Sequence, residues 1–90
     1  MDTEHVTVQV RQAVAVAQAG APPDVTLGAM VEQSGAVRLT VLRAGCGATT
    51  YVFPEVLTVA GVLETALQGL LRRASTGSLR PCGPNGELPL

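Results

Sequence analysis

Residues 25–53 read VTLGAMVEQSGAVRLTVLRAGCGATTYVF, and the period of this stretch decides the fold. Val25, Leu27, Ala29 and Val31 alternate with Thr26, Gly28, Met30 and Glu32. After Gln33-Ser34-Gly35, Val37, Leu39 and Val41 alternate with Arg38, Thr40 and Leu42. The segment Ala44-Gly45-Cys46-Gly47 reads as a loop, beyond which Thr49, Tyr51 and Phe53 alternate with Thr50 and Val52. Side chains of a strand point alternately to its two faces, so a period of two bounded by glycine turns predicts a three-stranded antiparallel meander. The first run also fits a short helix capped by Asp24 and stopped by Gly35; its alternation favours the strand.

The flanking segments carry a different period. Over residues 3–19, Val6, Val10, Ala13, Val14 and Ala17 fall on one helical stripe. Asp2 or Thr3 suits the cap, and Gly20 with Pro22-Pro23 ends the segment. A strand with alternating valines, broken at Gln12, is the competing reading; length, the alanine-rich second half and the stop signals favour the helix. Over residues 55–74, opened by Pro54-Glu55, a broad face is formed by Val56, Val59, Ala60, Leu63, Ala66, Leu67, Leu70 and Leu71. Arg72 and Arg73 close it, where positive charge complements the helix dipole. Residues 75–90 are rich in turn formers and lack a period, which predicts a disordered tail. The expected architecture is thus α+β, in the order α-β-β-β-α, with one domain over 1–74 and a flexible tail over 75–90.

Composition narrows the functional classes. The chain has 90 residues, is 47% hydrophobic and only 2% aromatic, so the core must be built from Val, Leu and Ala. Apolar burial stabilises by roughly 25 cal/mol per Å², and small side chains bury little each, which leaves a chain of this length marginal as a monomer. A net charge of −1 supplies no long-range field toward nucleic acid or acidic lipid. No apolar run approaches the roughly 18 residues of a membrane span. Residues 1–5 have no basic leader character, and the expectation is a cytoplasmic chain with reduced thiols.

Motifs for chemistry are sparse. Cys46 lies between two glycines and His5 is the single histidine, but nothing in the sequence positions a Cys–His pair; a Cys46-dependent enzyme is the remotest reading. Cys46 and Cys82 do not have metal-motif spacing, the acidic residues are dispersed, and Gly45-Cys46-Gly47 lacks the Lys-Ser/Thr of a phosphate loop. No cofactor or metal is expected. Arg38, Arg43, Arg72 and Arg73 could touch phosphates, which makes a nucleic-acid-binding regulator the alternative reading, without aromatic stacking partners to support it.

Two surfaces remain. If odd-numbered strand positions face the helices, the other sheet face shows Thr26, Gly28, Met30, Glu32, Arg38, Thr40, Leu42, Thr50 and Val52, half apolar and suited to a partner. On the last helix Gly61, Thr65 and Gly69 recur every four residues and permit close approach of another helix. The reading favoured by the sequence is a small non-enzymatic protein-binding accessory or regulatory module, a homodimer, with Met30, Arg38, Leu42, Val52, Gly61, Thr65 and Gly69 at its interfaces.

Overall fold

Connection length governs which residues of two paired strands share a face, and the two hairpins here differ. The computed structural model describes residues 3–83, with side chains from Val6 onward. Its elements are α1 (Thr3–Ala19), β1 (Val25–Val31), β2 (Val37–Arg43), β3 (Cys46–Val52), α2 (Val62–Thr76) and β4 (Arg80–Pro81). The strands form one antiparallel sheet in the order β1-β2-β3-β4. The chain is therefore an α+β domain, with four strands where three were expected.

Between β1 and β2 the turn closes with Glu32 N–H donating to the Ala36 carbonyl at 2.8 Å and Gly35 N–H to the Glu32 carbonyl at 2.9 Å. Leu27 stands opposite Val41 and Ala29 opposite Leu39, odd facing odd. Between β2 and β3 only Ala44 and Gly45 intervene, and Arg43 stands opposite Cys46. Both turn residues have positive φ, 53° and 77°, as the mirror-image hairpin turn requires. With two residues in the turn, odd positions of β2 pair with even positions of β3: Val37 with Val52, Leu39 with Thr50, Val41 with Ala48. The face expected for β3 is thus inverted. Val52 is 4% exposed and belongs to the core, whereas Tyr51 is 43% exposed on the opposite face.

Both helices cover one side of this sheet. Val6, Val10, Ala13 and Ala17 of α1 and Leu63, Leu67, Leu70 and Ala74 of α2 share one apolar cluster with Val25, Leu27, Val37, Leu39, Val41, Ala48 and Val52. Among the described residues no polar or charged residue is buried as a whole, and Tyr51 and Phe53, the aromatics of the chain, both stand outside the core. The aliphatic core expected from composition is what forms.

The second helix starts later than the residue pattern suggests. From Phe53 to Val62 the backbone runs through four-residue turns: Val56 N–H to the Phe53 carbonyl, Leu57 to Pro54, Val59 to Val56 and Val62 to Val59, at 3.0–3.3 Å. β-branched Val56, Thr58 and Val59 lose rotamer freedom in a helix, and Gly61 at φ 78° interrupts helical propagation before capping α2. At the other end Gly77, φ 75°, and Ser78 both donate to the Arg73 carbonyl, a left-handed stop. The chain then turns back: Leu79 packs against the core, and β4 pairs with β3, Pro81 opposite Cys46 and Arg80 opposite Gly47. Within the stretch expected as a tail, residues 75–83 thus hold the end of α2, the packed Leu79 and the short β4; residues 84–90 lie outside the described part.

Candidate functional site

The sheet face turned away from both helices is the candidate. Register sorts its side chains into three rows. Met30, Arg38 and Tyr51 form one; Gly28, Thr40 and Thr49 the next; Thr26, Leu42, Gly47 and Arg80 the last. The middle row is low, because Gly28 has no side chain and a Cβ there would stand 2.8 Å from Thr40 Oγ1. A shallow trough of small residues therefore separates two taller rows. Met30 is 54% and Leu42 37% exposed. Arg38 lies between Met30 and Tyr51, with Nη2 on the Met30 sulfur at 3.3 Å and Nε 3.9 Å from Glu32 Oε1, too long for a hydrogen bond. Two buried side-chain polar atoms without a hydrogen-bond partner among the described residues, Arg38 Nε and Thr49 Oγ1, belong to this same face.

Of the expected interface residues, the sheet brings Met30, Arg38 and Leu42 together and sends Val52 to the core. Tyr51 takes its place. A two-residue reading of the Ala44-Gly45 turn would have found it. The helix stripe is not a continuous helical feature: Gly61 is the left-handed cap, and Thr65 N–H donates to its carbonyl at 2.9 Å. Its glycine thus has a conformational reason. Thr65 and Gly69 are exposed on α2, and a Cβ at Gly69 would meet nothing within 4 Å. α1 lies along another side of α2, where Ala13, Val16 and Ala17 approach Glu64, Gln68 and Leu71.

No known family, characterised protein or solved structure matches the chain. The site must therefore be read from its own chemistry.

The arginines divide between the two sides. Arg38 is on the open face, whereas Arg43 reaches back to the helix layer, its Nε donating to Asp24 Oδ2 at 2.7 Å and its Nη1 to the Ala74 carbonyl at 3.0 Å. Arg72 and Arg73 are exposed at the end of α2, Arg73 donating to the Ser78 carbonyl at 3.4 Å. Cys46 is half-buried, and its neighbour across the ladder, Pro81, offers no base. Cys82 follows on β4's far side, its N–H donating to the Gly45 carbonyl at 2.9 Å. The His5 side chain lies outside the described part. Among the described residues no cluster of His, Cys, Asp and Glu has the makings of a metal site, and no helix is long and apolar enough to cross a membrane.

Proposed function

We propose that the chain is a non-enzymatic protein-binding module that pairs with a second copy of itself through the open sheet face. The observation that carries this reading is the placement of Met30, Leu42 and Tyr51, all exposed, on a face that neither α1 nor α2 covers. Large apolar groups gathered on one face mark an interaction surface more often than scattered ones do. A second copy is the occupant we favour, since two-fold pairing is the commonest symmetry of homo-oligomers. The core adds a reason: without a buried aromatic each of its side chains buries little area, and covering this face would bury Tyr51.

The nucleic-acid alternative has less support. Arg43 is already answered by Asp24 and a helix-end carbonyl, and Arg38 lies on the far side of the sheet from Arg72 and Arg73. The Cys46 reading has no support in the thiol's described surroundings, where Arg43, Ala74, Ser75 and Leu79 line the same hollow and none is a general base.

Light scattering on the full chain at high micromolar concentration should give about twice the 9.2 kDa of one chain. Leu42→Glu should return the mass to that of a monomer with an unchanged circular dichroism spectrum. A wild-type monomer under the same conditions overturns the dimer, and a salt-dependent shift with added RNA or DNA would move the reading to the alternative.

A further inference from the structure

A second surface lies at the outer edge of β1, away from the open face. In an antiparallel strand the N–H and C=O of one residue point to the same side, and those of the next residue to the other. Val25 and Leu27 point theirs away from β2. The Val25 N–H donates to the Pro22 carbonyl at 3.1 Å. Its carbonyl accepts from Gln18 Nε2 at 2.7 Å, and the Leu27 N–H donates to Gln18 Oε1 at 2.7 Å. One side-chain amide of α1 thus does for this edge what a peptide unit of a neighbouring strand would do. By the same alternation Ala29 and Val31 present their N–H and C=O groups to the free edge. No partner for these groups occurs among the described residues.

Beside that unused half of the edge, α1 and β1 enclose a groove of about 600 Å³, lined by Val10, Val14, Leu27, Ala29 and Val31, with Arg11 and Gln18 also on its wall. Ala29 is exposed although it is on the helix-facing side of the sheet, because the groove opens there. Free edges are ordinarily blunted by charge, proline or a bulge. β1, VTLGAMV, contains neither a charged residue nor proline, and it pairs with β2 residue for residue without a bulge.

We propose that this groove receives a short extended segment of a partner protein, which adds to β1 as a further strand at Ala29 and Val31. The ligand chemistry follows from the walls. Main-chain groups of the segment bond the edge, and alternate apolar side chains enter the groove against Val10 and Val14. A carboxylate meets Arg11, which is exposed and has no acidic partner among the described residues. Main-chain bonding with pockets for alternate side chains is how strand addition combines affinity with selectivity. Gln18 closes one end, since its amide occupies the edge at Leu27. The open stretch from Ala29 to Val31 is about 10 Å long. That length suits a few residues of another chain and not the whole β1 of a second copy, whose own α1 and Gln18 would crowd the same side.

The test uses the ¹⁵N-labelled full chain and a synthetic N-acetylated pentapeptide of alternating valine and threonine with a free C-terminal carboxylate, beside its C-amidated twin. On titration to millimolar peptide, the Ala29 and Val31 amide resonances should move downfield and gain protection from exchange. The carboxylate form should bind about fivefold more tightly than the amide, and Arg11→Gln should erase that difference. Ala29→Pro should abolish binding with the circular dichroism unchanged, because proline is tolerated on an edge strand where the N–H points outward. Silence of the Ala29 and Val31 amides toward both peptides overturns the proposal. So does their concentration-dependent protection without peptide, which would give the edge to a second copy. Equal binding of the two peptides would remove the role of Arg11.

Discussion

Gln18, the penultimate residue of α1, accepts the Leu27 N–H at 2.7 Å and returns a donor to the carbonyl two residues earlier. It ties helix to strand through main-chain groups that otherwise face a groove. Removing the amide leaves a partly buried donor and acceptor unpaired. An unsatisfied pair of this kind costs about 1–3 kcal/mol. Gln18→Leu should therefore lower the urea midpoint with an unchanged m-value and speed hydrogen exchange at the Leu27 amide. Unaltered exchange there would show that the amide does not hold the edge.

The inverted face of β3 can be checked by two neighbouring substitutions. Val52→Ser puts a hydroxyl into the core and removes apolar volume, and should cost at least about 2 kcal/mol. Tyr51→Ser acts on the open face and should cost less than about 1 kcal/mol in chemical denaturation at low protein concentration. The opposite order would mean that Ala44-Gly45 is not the whole turn.

Leu67 is fully buried at the centre of the apolar cluster. Leu67→Ala should cost about 2–5 kcal/mol through lost transfer energy and the cavity left behind. For a domain with a total stability of about 5–10 kcal/mol, that is enough to leave much of it unfolded at 37 °C. Thermal denaturation followed by circular dichroism measures the loss.

Ending the chain after Ser75 removes the Gly77 stop, the packed Leu79 and the β4 pairing with Cys46 and Gly47. The loss of the cap and of part of a buried side chain should cost about 1–2 kcal/mol. In a domain of this size each kcal/mol lowers Tm by roughly 4–8 °C. A Tm within a degree of the full chain would return residues 76–83 to the status of a tail.

What could be read from residues alone was what local chemistry decides. Gly20 and Pro22-Pro23 end α1 because neither residue type continues a helix, and the alternation from Val25 to Val41 reports its own pleat. Leu63, Leu67 and Leu70 mark their buried side by a helical period that survives a misplaced start. Three features depended on tertiary structure. Ala44 adopts a left-handed backbone that alanine disfavours by roughly 1–2 kcal/mol, so the local sequence argues for a longer loop; pairing of β3 along all of β2 outweighs that cost and reverses which of Tyr51 and Val52 is buried. The start of α2 is decided at Gly61, where a change in the sign of φ leaves the apolar pattern of residues 55–61 outside the helix. β4 spans Arg80–Pro81, too short for any period, and exists because the free edge of β3 is there to receive it. The groove beside Ala29 has the same character: whether a helix covers a strand to its end depends on how two packed elements cross, and side-chain order along either one does not encode that angle.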